Sequence, residues 1–252
     1  MRIETTLALI AALVVACGAA GCSKVNGSGR AFTEDRRVGP FDVVETSGSF
    51  RVVIDVGNRT SCSITGDDNI VPLIQTRVQG RTLAIKATKR IDPETPVEIR
   101  LVTPGIRRLD VTGSGDAVLR GARGVELTVE VAGAADLELH DVDVDRLDLE
   151  ISGAADVIGS GFARKLVYEI SGAGKGKLGD LCAVEAEVEI SGAGNATVAV
   201  RDRLDAEISG AGSIEYFGEP SMVRPEISGA GSIKPLGKAS RCARWGGAQA
   251  QP

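Results

Sequence analysis

One short phrase recurs along this chain at a nearly fixed interval. It reads VTGSGD from Val111, VAGAAD from Val131, ISGAAD from Ile151, ISGAGK from Ile170, ISGAGN from Ile190, and ISGAGS from both Ile208 and Ile227, so successive copies begin 18 to 20 residues apart. A unit this short cannot bury an apolar face alone, and a fixed period of this kind therefore calls for coils that stack on their neighbours.

The residues ahead of each copy say what the coils are made of. Leu147-Asp148-Leu149-Glu150-Ile151 and Leu204-Asp205-Ala206-Glu207-Ile208 alternate apolar with charged, the period of a half-buried strand. A helical solenoid is the rival, but the Ser-Gly-Ala-Gly runs would interrupt every helix, at roughly 1 kcal/mol for each interior Gly against Ala. The expected fold is therefore all-β, a single-stranded parallel β-helix with coils of about 20 residues. Coils stacked about 4.8 Å apart over the seven copies would extend about 34 Å. Gly113, Gly133, Gly153, Gly172, Gly192, Gly210 and Gly229 share one phase, which predicts a common corner where only small residues let backbones stack.

The N-terminus carries a different signal. Arg2 precedes an apolar run from Leu7 to Ala16, too short to span a bilayer and patterned as a secretory signal peptide. Val14-Val15-Ala16-Cys17 resembles a bacterial lipobox, and Ala19-Ala20-Gly21-Cys22 is a second match. Lipidation is expected at Cys17, with Cys22 as the alternative. The sequence then predicts a signal peptide over 1–16 (to 21 if Cys22 is lipidated), an anchor and flexible tether over 17–37, the β-helix over 38–238 and a disordered tail over 239–252. Membrane attachment would be through the lipid, and neither cysteine is followed by the Asp that would retain it, so in a cell with two membranes the expectation is the outer one.

Before the repeats, Phe41 to Val56 alternates as strand and holds an early echo of the corner in Thr46-Ser47-Gly48-Ser49-Phe50. Ser63-Ile64-Thr65, Thr82 to Lys86 and Val97 to Leu101 also read as strands. A short helix capped from Asp68 is expected over 69–74, with Pro72 in its first turn. These parts, followed by Gly66-Asp67-Asp68-Asn69-Ile70, Gly80-Arg81-Thr82-Leu83-Ala84-Ile85 and the reiterated Ile-Ser-Gly-Ala-Gly, resemble the bacterial head GIN domain family of autotransporter adhesin heads. The resemblance spans roughly Val38 to Lys238. It implies a right-handed helix, a secreted or lipid-anchored protein, and no catalytic residues that can be carried over.

Composition narrows the chemistry. Net charge is -5, which argues against nucleic acid as a partner. His140 is the only histidine, so any Ser/His/Asp arrangement would have to pass through it, and its place after a strand suggests a solvated coil edge. A polysaccharide-cleaving site would want aromatic platforms, yet aromatics make up 3% of the chain. Ser152, Ser171, Ser191, Ser209 and Ser228 form a ladder without a base. No enzyme, catalytic residue or organic cofactor is expected. Cys62, Cys182 and Cys242 lack metal-site spacing, and a disulfide is allowed without its partners being readable.

Two acidic columns remain. Asp110, Glu130, Glu150, Glu169, Glu189, Glu207 and Glu226 each precede a copy of the repeat and are expected to point outward. Asp116, Asp136 and Asp156 share a second phase and are the candidate calcium ligands, since hard cations prefer oxygen. Solvated faces that discourage sideways strand pairing are the other reading of both columns. The functional expectation is a non-enzymatic envelope lipoprotein whose repetitive surface binds or adheres to a macromolecular partner. A periplasmic structural or assembly protein, able to form a homo-oligomer, is the alternative, and an envelope polysaccharide-active enzyme comes third.

Overall fold

The computed structural model describes residues 24–238 and Cys242. The signal-peptide and lipidation assignments, and the tail apart from Cys242, lie outside the described residues.

Each repeat completes one rung of a parallel stack. Val111 lies in register on Val131, then Ile151, Ile170, Ile190, Ile208 and Ile227 follow in turn. The early echo joins the same column, because Val111 pairs with Thr46 and Gly113 with Gly48. A second wall follows the corner, where Ala117 pairs with Val52 below and Leu137 above. A third wall runs through Arg123, Asp143, Phe162 and Cys182. The expected parallel β-solenoid is the fold observed.

Alternation explains the core. In Leu147 to Ile151 the three apolar residues are at most 2% exposed while Glu150 is exposed. One continuous hydrophobic cluster extends from Phe41 to Ile214. Burying each Leu or Ile side chain stabilises the fold by about 1.5–3 kcal/mol, a gain available only once the neighbouring coil is in place.

The corner is tighter than conformational freedom requires. A Cβ added to Gly133 would lie 2.1 Å from the carbonyl oxygen of Gly113, and one on Gly210 would lie 2.1 Å from that of Gly192. Those carbonyls accept the hydrogen bonds that join the coils, from the amides of Ala134 and Ala211, each at 2.9 Å. Gly133 also has a φ of 132°, but Gly210 is not in the left-handed region, so close approach is the shared reason for glycine here.

Residues 57–107 form an insert between the first two rungs. Its strands Thr82–Ala87 and Glu98–Thr103 continue the first and second walls in parallel, beneath Val43–Gly48 and Arg51–Val56. Ile74–Gln79 and Ser61–Asp67 then pair with them antiparallel, which turns back that end of the stack.

Two expectations need correction. The polar stretch assigned to a tether is docked over its second half: Val25–Asn26 pairs with Ile91–Asp92, and Ala31–Arg36 pairs antiparallel with Ser61–Asp67. The cause is the fully buried Asp67, which accepts backbone hydrogen bonds from Gly29 at 3.0 Å, Glu94 at 2.8 Å and Thr95 at 3.2 Å. The Arg36 guanidinium adds bonds to the carbonyls of Val71, at 2.8 Å, and Ile74. The expected helix is one 3-10 turn, Val71–Leu73, whose N-cap is Ile70 without a side-chain cap bond. Asp68 is instead committed to Arg30 at 2.6 Å and the Ser28 hydroxyl at 2.5 Å, so it holds the docked segment rather than a helix.

Cysteine pairing is also resolved. Cys182 on the third wall is bonded to Cys242, with Phe162, Ala199 and Phe217 packed around the bridge. Cys62 is free and buried, and burial pushes its thiol up to about 11, which leaves it unreactive.

Candidate binding surface

The first wall places its acids in one straight line. Glu45, Asp110, Glu130, Glu150, Glu169, Glu189, Glu207 and Glu226 are consecutive register partners, so the column gains Glu45, an acid that lies outside the repeat. They face outward because the residues on either side are committed to the core, as with the buried Tyr168 and Ile170 around Glu169. Strand pleating thus turns a one-residue offset in sequence into a continuous acidic ridge.

Cations on the same wall mostly serve another column. Two residues earlier in each rung, Asp148 receives Arg146 at 2.6 Å, Glu187 receives Lys165 at 3.1 Å and Asp205 receives Arg203 at 2.6 Å. Among the described residues only Arg108 reaches the ridge, contacting Asp110 at 2.9 Å and Glu130 at 2.8 Å. Glu150, Glu169, Glu189, Glu207 and Glu226 have no ion pair among the described residues. Partial burial, then the charges of Glu189 and Glu150 above and below it, raise the Glu169 carboxyl from its ordinary value. Neighbouring carboxylates one rung apart repel by about 1 kcal/mol in water and about 3 at an effective dielectric near 20, so this ridge must stay wet or meet positive charge.

The second wall brings Asp116, Asp136 and Asp156 to one phase on successive rungs, as their neighbours Ala117, Leu137 and Val157 are register partners. Alignment is not convergence. Asp116 is drawn toward Arg51 at 3.9 Å, and Asp156 pairs in register with Lys175. Among the described residues, no three His, Cys, Asp or Glu side chains are grouped to hold a metal ion.

His140 sits at the coil edge with its Nε2 2.9 Å from Glu138. That hydrogen bond, aided by Arg51, holds the Glu138 carboxyl below its usual range. Among the described residues the pair has no serine of the corner ladder as a partner: Ser152, Ser171, Ser191, Ser209 and Ser228 immediately precede the corner glycines, where their amides bond the coil beneath. What sequence reasoning missed was the polar clamp at Asp67, whose signal was present in Gly66-Asp67-Asp68-Asn69 but has no period to reveal its partners.

Comparison with known proteins places this geometry. Residues 40–220 match the family described as "Putative auto-transporter adhesin, head GIN domain". A "putative adhesin" from Bacteroides fragilis NCTC 9343 has a similar structure, with 26% identity, a TM-score of 0.78, and coverage of 84% of this chain and 100% of that one. A "putative adhesin" from Parabacteroides distasonis ATCC 8503 aligns with a TM-score of 0.74 at 21% identity, over 85% of this chain and all of that one. A "putative lipid binding protein" from the same strain aligns at 0.66 and 23% identity over 85% and 100%. The latter two show a common fold. No curated protein matches the chain. The protein belongs to the head GIN domain family.

Proposed function

We propose that this protein is a non-enzymatic, lipid-anchored head of the cell envelope that binds a macromolecular surface through the walls of its solenoid. The observation that carries the reading is the regularity of the first wall, where one side-chain type repeats rung after rung on a rigid backbone. Repetition suits a multivalent contact, in which many weak interactions act together. Membership of an adhesin-like family supports an envelope or surface role, and the Cys182–Cys242 bridge suits an oxidising compartment.

Anchoring through Cys17, or Cys22 as the alternative, would have a geometric consequence. Because the chain is docked from Lys24 onward, only the residues before it remain as tether, at most about 25 Å from Cys17 and about 7 Å from Cys22. The insert would then sit against the membrane and the coils would project from it. Palmitate labelling of wild type, Cys17→Ser and Cys22→Ser identifies the anchor, and label surviving in the double variant contradicts it. Adherence of cells to mucin-coated glass under flow tests the binding role: loss of the protein should reduce retention, and unchanged retention on mucin and on matrix-coated glass counts against adhesion. A periplasmic assembly role is the second reading, favoured by the same rigid walls if the head faces inward.

A further inference from the structure

A parallel stack passes its backbone hydrogen bonds from coil to coil, so its last coil presents an unpaired edge that can template another strand. The insert turns back one end of this stack with antiparallel strands. At the other end, Met222–Ile227 and Ser232–Gly237 pair with the coil beneath and with no strand above among the described residues. This end also carries apolar surface, with Met222, Ile227 and Leu236 all more than 40% exposed. An open edge and exposed apolar side chains together favour association.

Backbone direction shows how the edge is closed. In a parallel ladder a residue sends both of its backbone groups to one neighbouring strand, and the next residue sends both to the other. The Ser228 amide donates to Ile208 at 2.8 Å and the Ser232 amide to Gly212 at 3.2 Å. Positions 224, 226 and 234 therefore face the coil beneath, and 223, 225, 227, 233 and 235 face the open side. Proline occupies 225 and 235. Each stands in a column held by ordinary residues in earlier coils: Leu149, Tyr168, Val188 and Ala206 precede Pro225, and Tyr216 precedes Pro235. Each proline removes an amide that a further strand would need, and costs nothing below because that amide would point away.

We propose that Pro225 and Pro235 terminate the solenoid and keep its last coil from accepting a strand from a second copy of the chain. The head then acts as a single closed unit, and its contacts run through its side walls. The test compares the full-length chain, solubilised in detergent, with P225T/P235T, which restores both outward amides, and with R224T/K234T, which alters the same strands at inward-facing positions. Sedimentation and light scattering over a hundredfold concentration range should give a monomer for wild type and for R224T/K234T. P225T/P235T should self-associate at least tenfold more tightly, with new amide-exchange protection at 223–227 and 233–237. Wild-type association through these strands overturns the proposal, as does equal association of both variants. A monomeric P225T/P235T with wild-type circular dichroism overturns it too, and P225T alone provides the same reading if the double variant does not fold.

Discussion

At the residue scale, the glycine corner shows how a shared phase in sequence becomes a shared close approach in space. The common phase of Gly113 to Gly229 was legible from spacing, and so was a shared corner. So was its cause, close backbone stacking, since the approach of a neighbouring carbonyl belongs to all of these glycines while a positive φ belongs only to some. Gly210→Val puts a side chain where Gly192 accepts a coil-to-coil hydrogen bond, so it should destabilise the protein by more than about 3 kcal/mol. A wild-type melting temperature would contradict the corner assignment. Tyr168 offers the opposite case. Its side chain is fully buried and its hydroxyl has no hydrogen-bond partner among the described residues, held in space that Gly176 leaves open. Tyr168→Phe should be neutral to stabilising by about 1 kcal/mol, and a fall in denaturant midpoint would reveal a partner for the hydroxyl. On the ridge, the folded-state pKa of Glu169 is raised above its ordinary 4.5, so its ionisation opposes folding once the pH exceeds that value. Glu169→Gln should therefore stabilise by less than about 1 kcal/mol at pH 7, the carboxyl being largely solvated, and should give no gain below pH 4.5. Equal effects at both pH values would show that ionising Glu169 costs the fold nothing.

At the scale of elements, what repeats could be read and what does not repeat could not. The strands at Thr82–Ala87 and Glu98–Thr103 were visible from alternation, and Gly48 announced the first rung from a single imperfect echo. The segment Ala31–Arg36 lies in a stretch that reads as tether because it is polar and contains Gly and Ser. It is held instead by pairing with residues about thirty positions away and by one buried carboxylate, and neither leaves a local pattern. The same holds for the bridge between Cys182 and Cys242, separated by 60 residues. Burial works to raise the Asp67 carboxyl, but hydrogen bonds from Thr95, Glu94 and Gly29 outweigh it and hold the group below its ordinary 3.8. The stability this group contributes is complete above that value and is lost as the pH falls through its folded-state pKa. Acid should therefore release the N-terminal strand before the coils melt. Hydrogen exchange followed as the pH is lowered below 3.8 should show amides over 31–36 becoming fast while the repeat is still protected, and Asp67→Asn should do the same at pH 7. Protection that persists in both would mean that strand pairing alone holds the segment.

For the whole molecule, the pieces combine into an insert-capped stack with one acidic wall, a disulfide on another, and a proline-bearing final coil. The sequence made the solenoid and its outward acids legible because a period fixes phase, and phase fixes direction. It aligned Asp116, Asp136 and Asp156 correctly, but a shared column does not bring side chains together, and whether ligands converge depends on which neighbours, such as Arg51, draw each one aside. The proposed adhesive role puts the walls of this stack in contact with surfaces outside the cell. Protease shaving of intact cells, followed by immunoblotting for the head and compared with permeabilised cells, measures that most directly. The account predicts loss of the head from intact cells, whereas digestion only after permeabilisation would place it inside the envelope and contradict the adhesive role.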